Sequence, residues 1–128
     1  MKRFGNIAAA ALALCAFGIV LAGPALAHHS FAMFDQTKML KKTSVTISQF
    51  RFTNPHSFVV VNVQEGSKVT RYVFECSSVN MMRKGGWAFN SLKAGDKVDL
   101  TFYPLRNGQP GGMLNNIKLP DGRTLSGW

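Results

Sequence analysis

Alternation of apolar and polar residues predicts that the chain is built mainly of β-strands. Three successive segments carry strand patterning, at residues 43–54, 57–64 and 69–76. In the first segment the apolar residues change face at Gln49 and Phe50, which predicts a β-bulge at that point. The second segment is almost continuously apolar, which is typical of a strand covered on both faces.

The periodicity then changes to that of a short helix. Residues 77–86 begin with two serines that can cap a helix and end with two glycines, which predicts a helix of about two turns. Strand patterning returns at residues 97–104 and 113–119. This order of elements predicts a small OB-like five-stranded β-barrel with one short helix between strands 3 and 4. An open α+β sheet with one helix is the alternative.

The N-terminal segment is typical of a secretory signal peptide. Two basic residues precede an apolar run at residues 7–22, and Ala25, Leu26 and Ala27 supply the small-x-small pattern that a signal peptidase reads. The run is short for a membrane-spanning helix, which needs about 20 apolar residues. We therefore predict cleavage after Ala27, with a retained signal anchor as the alternative.

Cleavage at this point divides the chain into three parts. They are a cleaved signal peptide at residues 1–27, an N-terminal arm at residues 28–42 and the OB-like barrel domain at residues 43–128. The prediction places the mature protein in the periplasm with no stable membrane anchor. The sequence leaves its oligomeric state open.

The chain is strongly basic, with a formal net charge of +9. Its basic residues are scattered rather than clustered, which favours a solvated surface over a nucleic-acid footprint. An exported protein rarely meets nucleic acid, so we expect none as a partner. A metal ion or an envelope protein is the partner we expect instead.

Cys76 is the one cysteine that remains after the predicted cleavage. A single thiol cannot form an internal disulfide. We expect Cys76 to be a buried small apolar residue, with a soft metal ligand or an intermolecular partner as alternatives.

Several segments resemble a family of small exported bacterial proteins classed as a domain of unknown function. They are, in order, AHHSFAMFD, FTNPHSF, FECSSVNMMRKGGW, SLKAGDKV and LPDGRTL, and together they span nearly all of the mature chain. The double histidine, the Asn-Pro-His sequence and the Gly-Trp pair are the most specific marks. The resemblance implies an exported, β-rich domain and implies no activity. The thiol of Cys76 departs from the family pattern.

The three histidines of the chain are the candidate metal ligands. Cleavage after Ala27 makes His28 the first residue, so that its α-amine and its ring Nδ1 can chelate one metal ion. His56, which follows a proline in a turn between two strands, would supply a third nitrogen, as in a histidine brace. His29 is a possible substitute. Amine and imidazole nitrogens suit Cu(II), so we expect copper, for carriage or sequestration. The alternative is that the histidines are structural.

A second hypothesis is a non-catalytic binding module for an extended ligand or an envelope protein. OB-like barrels present one sheet face and its flanking loops to such ligands. Tyr72, Trp87, Tyr103 and Arg106 are the candidate contact residues. The sequence contains no carboxylate pair, nucleophile triad, phosphate loop or HExxH zinc signature, so we do not expect an enzyme.

Overall fold

The strands of the described chain pair with one another to form one curved, mixed sheet that closes on itself. The computed structural model describes residues 29–128. Within this part of the chain the elements are α1 (His29–Ala32), β1 (Leu40–Arg51), β2 (Phe58–Glu65), β3 (Lys68–Glu75), α2 (Val79–Lys84), β4 (Lys97–Pro104), β5 (Gly111–Lys118) and β6 (Thr124–Ser126). Residues Met33–Trp128 form one compact unit.

The strand order is β3-β2-β1-β4-β5, and a parallel pairing between β3 and β5 closes the barrel. A closed five-stranded barrel with this order and a helix between β3 and β4 confirms the predicted OB-like fold. The single-turn helix α1 was not expected from the patterning. The short strand β6 pairs with the end of β5.

Strand β1 is strongly irregular, as the change of face in the sequence indicated. Its register with β2 shifts between Ile47 and Gln49, which confirms the predicted bulge. A second shift, in the pairing with β4, lies between Lys42 and Val45, where Ser44 has a φ of 51°. The strand already begins at Leu40, so the last three residues assigned to the arm pair with β4. They lack an apolar alternation because most of their surface is exposed.

The barrel interior is filled by the inward-facing apolar residues of all five strands. They include Val45, Ile47, Val59, Val61, Val63, Phe74, Val98, Leu100, Phe102, Leu114 and Ile117. Two glycines at the start of β5 permit the closure of the barrel. A Cβ atom at Gly111 would collide with the backbone of Val73, and one at Gly112 would collide with the backbone of Tyr103.

Helix α2 lies between β3 and β4 and is followed by Trp87, which lies in the core. The side chain of Ser78 caps the helix by accepting a bond from the N–H of Met81. Trp87 is 3% exposed, packs against Phe50 and donates its Nε1–H to the carbonyl of Ser126 at 2.7 Å. Among residues 29–128, every helix is too short to cross a lipid bilayer.

Candidate functional site

The loop between β1 and β2 presents His56 at one end of the barrel. The Asn54–Pro55 peptide bond in this loop is cis. The side-chain carbonyl of Asn54 accepts a hydrogen bond from the N–H of Val79 at 3.0 Å, which ties the loop to the start of α2. The hydroxyl of Thr53 donates to the carbonyl of His56 at 2.9 Å. These bonds fix the backbone on both sides of the proline.

Ser57, the next residue, is completely buried and holds the end of the loop against β3. Its hydroxyl donates to the carbonyl of Thr53 at 3.1 Å and accepts from the N–H of the same residue at 3.3 Å. Its backbone N–H donates to Ser77, and its carbonyl accepts from Cys76. His56 is therefore attached to a rigid strand end.

A carboxylate lies directly beside the His56 ring. The Nδ1 atom of His56 is 2.7 Å from Oε1 of Glu75, and the two side chains are 31% and 15% exposed. The ring N–H is not aligned on Oε1 as in a regular hydrogen bond, and no other donor among the described residues reaches this buried oxygen. Burial raises the pKa of Glu75, and the neighbouring His56 opposes that rise.

Trp128, the last residue, covers one side of this histidine–carboxylate pair. Its ring centroid is 5.5 Å from that of His56, with the two planes inclined by 56°. Its indole Nε1–H donates to the backbone carbonyl of Glu75 at 3.3 Å. Trp128 therefore contacts both members of the pair.

Glu75 also borders a groove of about 140 Å³ on the outer face of β2 and β3. The groove is lined by Met33, Phe34, Phe58, Val73, Glu75, Leu105, Pro110 and Gly112. This face, between the β1–β2 and β4–β5 loops, is where OB-folds bind their ligands.

The residues that precede β1 are anchored along one side of the groove. Phe34 forms an isolated antiparallel bridge with Leu105 and is 2% exposed. The N–H of Asp35 donates to Pro104 at 2.8 Å, and the N–H of Arg106 donates to the carbonyl of Met33 at 2.9 Å. Met33 thus lies on a backbone-anchored segment and lines the same groove as Glu75.

The structure describes the three predicted histidine ligands to different extents. His56 has the position described above, His29 is the first residue of α1, and His28 lies outside the described residues. The side chains described in residues 31–128 contain no group of three or more His, Cys, Asp or Glu that could hold a metal ion. The terminal-amine ligand set stays a prediction.

The sequence analysis missed Glu75 as the partner of His56. The signal is the register of the β2–β3 hairpin, whose short turn pairs Glu65 with Lys68. Counting outward from that pair sets Glu75 opposite Phe58, two residues from His56. No local pattern indicates the contact with Trp128, because it depends on the path of the tail after β6.

Cys76 is completely buried, as predicted. Burial, with a contribution from the charge of Glu75, raises the pKa of its thiol far above the ordinary value. A thiol in this environment is inert as a nucleophile.

Of the four contact residues suggested for a binding module, one is misplaced. Trp87 belongs to the core, where it is buried and packs against Phe50. Tyr72 is partly buried and packs against Phe74, whereas Arg106 is 58% exposed in its side chain.

Comparison with known proteins assigns the chain to a family, and that family has no known function. The model of a family of unknown function matches residues 17–115. No curated protein and no solved structure matches the chain.

Proposed function

The chain belongs to that family of unknown function, DUF6152, and we propose that it is a periplasmic metal-binding protein, preferably for copper. Its role would be carriage or sequestration of the ion. His56 is the ligand that the barrel supplies, and the amine and ring of His28 complete the site, with His29 as a substitute. The position of Glu75 beside His56 is the observation that carries the proposal.

A carboxylate beside Nδ1 prepares the opposite nitrogen of His56 for a metal ion. The negative charge at 2.7 Å favours a proton on Nδ1, so that the lone pair resides on Nε2. Histidines that bind metals commonly direct their other ring nitrogen to a carboxylate, which fixes the ring and raises its basicity. The neighbouring indole of Trp128 restricts the ring further.

The terminal amine of His28 supplies the second part of the proposed site. Met33 is anchored beside the groove that Glu75 borders. Even when fully extended, the chain from His28 to Met33 spans no more than about 18 Å. Sequence separation therefore keeps the processed terminus within that distance of the anchored segment.

Titration with Cu(II) tests the proposal directly. Protein that begins at His28 is titrated and its electron paramagnetic resonance spectrum is recorded. We expect one bound ion with nitrogen hyperfine structure from amine and imidazole ligands. One alanine added before His28 removes the α-amine from the chelate and should weaken binding by at least about tenfold, which is 1.4 kcal/mol.

His56→Ala should weaken Cu(II) binding to a similar extent, since it removes the ring that the barrel fixes. His29→Ala is the matched control, because it also removes one imidazole, and it should have a smaller effect. Unchanged affinity in both the alanine-extended protein and His56→Ala would refute the proposed site.

A non-catalytic binding module for an extended ligand is the second candidate. The groove beside Glu75, at the ligand face of an OB-fold, is the observation that favours it. This function predicts a ligand affinity that chelators and His56→Ala leave unchanged.

A further inference from the structure

Strand β3 pairs with β5 along less than half of its length. The parallel pairing includes only residues 73–75 of β3, which lie opposite residues 111–113 of β5. The earlier residues of β3, at positions 68–72, pair with β2 on one side only. In the part of the chain that the structure describes, this is an open strand edge.

The hairpin geometry determines which backbone groups face the open side. Glu65 and Lys68 pair across a two-residue turn, so they exchange hydrogen bonds with each other, and the pattern then alternates along the strand. Val69, Arg71 and Val73 therefore direct their N–H and C=O groups away from β2. The N–H of Val73 donates to the carbonyl of Pro110, which lies on the side of β5 and not on the side of β2. This bond agrees with the alternation along the strand. Val69 and Arg71 present the same groups at the open edge, where no strand from residues 29–128 pairs with them.

A cavity of about 390 Å³ opens beside this edge at the end of the barrel. Its apolar lining comes from Leu40, Tyr72, Phe102, Pro104, Leu105 and Pro110. Val69, on the other face of the strand, is 56% exposed. The backbone of β3 could thus form hydrogen bonds with an added strand, and the cavity could hold one apolar side chain of that strand.

The charge at the open edge is positive. Glu65, the last residue of β2, is paired with Lys42 at 3.4 Å and accepts bonds from Thr70 and Tyr72. Lys68 and Arg71 are both exposed, and neither forms an ion pair in the described part of the chain. Two such edges would repel each other, which disfavours pairing between copies of this chain.

We propose that the open edge of β3 binds an extended, acidic segment of a partner protein by strand addition. The backbone of the segment pairs with Val69 and Arg71, and one of its apolar side chains enters the cavity lined by Tyr72 and Phe102. Its acidic residues lie on the opposite face of the segment, next to Arg71. This site is separate from His56 and does not depend on metal binding.

Binding of three synthetic peptides tests the proposal. The first is a fluorescein-labelled octapeptide of alternating glutamate and valine, the second has the same sequence with N-methyl groups on alternate residues, and the third has lysine in place of glutamate. Fluorescence anisotropy with protein that begins at His28 should show binding of the first peptide that weakens as salt increases. The N-methylated peptide should bind about tenfold more weakly, since its methylated nitrogens cannot donate hydrogen bonds to the open edge. The lysine peptide should not bind.

Variants of Arg71 locate the binding on the protein. Arg71→Pro removes the N–H that faces the open side and leaves the β2–β3 hydrogen bonds in place, so it should abolish binding of the acidic peptide. Arg71→Ala should weaken binding and reduce its salt dependence. Lys84→Ala, which removes one charge from α2, is the matched control and should bind as the wild type does.

Two outcomes would overturn the proposal. One is equal binding of the unmodified and N-methylated peptides, a comparison that needs no protein variant. The other is a concentration-dependent dimer that Arg71→Pro abolishes, because the edge would then pair with a second copy. Loss of copper binding alone would bear only on the site at His56.

Discussion

Nδ1 of His56 and Oε1 of Glu75 lie 2.7 Å apart, although the two residues come from different elements. The histidine follows the cis peptide bond of the β1–β2 loop, and the glutamate is the last residue of β3. An acidic side chain in this half-buried position is unfavourable by itself, since burial disfavours its charged form. The ring of His56 compensates part of that cost and is oriented in return.

Glu75→Gln should change how protein stability depends on pH. Burial raises the pKa of Glu75 above its ordinary value of 4.5, so the folded state binds this proton more tightly than the unfolded state. The resulting stabilisation is fully present below pH 4.5 and is lost as the pH rises through the folded-state pKa. The unfolding free energy of Glu75→Gln, relative to wild type, should therefore increase from pH 4 to pH 7 in urea titrations.

Asp121→Asn is the control for this measurement. Its unfolding free energy relative to wild type should change with pH in the opposite direction. Hydrogen bonds from Arg123 lower the pKa of Asp121, so its stabilisation is present above the ordinary pKa and is lost as the pH falls. The stability of Asp121→Asn relative to wild type should decrease with rising pH. Parallel curves for wild type and Glu75→Gln would contradict the pKa direction for Glu75.

Ser57→Ala should destabilise the loop that carries His56. The substitution removes both hydrogen bonds between the Ser57 hydroxyl and the backbone of Thr53, which together contribute about 1–3 kcal/mol. Urea denaturation measures the loss, and weaker Cu(II) binding should accompany it. Ser67→Ala, in the exposed turn between β2 and β3, is the control and should change stability by less than about 0.5 kcal/mol. An equal effect of the two substitutions would show that the Ser57 hydroxyl is unimportant.

Most of the barrel could be predicted from the sequence because its determinants are local. The change of face at Gln49 and Phe50 is a direct consequence of the bulge in β1, and Ser78, one of the two serines predicted as caps, caps α2. The start of β1 could not be predicted, since residues 40–42 are mostly exposed and carry two lysines. Their strand conformation comes from pairing with β4, which no local pattern records.

Only the position of His56 in a turn could be predicted for the candidate site. The sequence places this residue between two strands, and the structure agrees. Glu75 could not be identified as the partner of His56, because its neighbours depend on the register of the β2–β3 hairpin. The contact with Trp128 depends on how the tail crosses the end of β3, a tertiary feature without a sequence signature.

Gly111→Ala should prevent normal closure of the barrel. Gly111 has a φ of 136°, and an added Cβ would collide with the carbonyl of Val73, where β5 meets β3. We expect a loss of more than about 3 kcal/mol in unfolding free energy, because neither backbone can move without breaking the pairing. Gly108→Ala is the matched control, since its φ is 75° but its Cβ would meet nothing within 4 Å. That variant should lose only about 1 kcal/mol, and similar losses in both would refute the steric argument.

Cys76 should not react with thiol reagents in the folded protein. Its side chain is completely buried, and burial raises the pKa of the thiol. In protein that begins at His28, Ellman's reagent should therefore detect one thiol in denaturant and almost none without it. Cys76→Ala should retain Cu(II) binding, in contrast to His56→Ala. Rapid modification of the native protein would show that β3 and its surroundings open readily.

Trp128 should report on a copper ion bound at His56. Cu(II) quenches nearby indole fluorescence, and the Trp128 ring centroid lies 5.5 Å from that of His56. Titration of the wild type should therefore quench the emission. Trp128→Phe keeps an aromatic ring against His56, so it should remove most of the quenching and change the affinity little. Trp87→Phe, which alters the other tryptophan of the chain, should leave the quenching intact. Undiminished quenching in Trp128→Phe would place the bound ion away from His56.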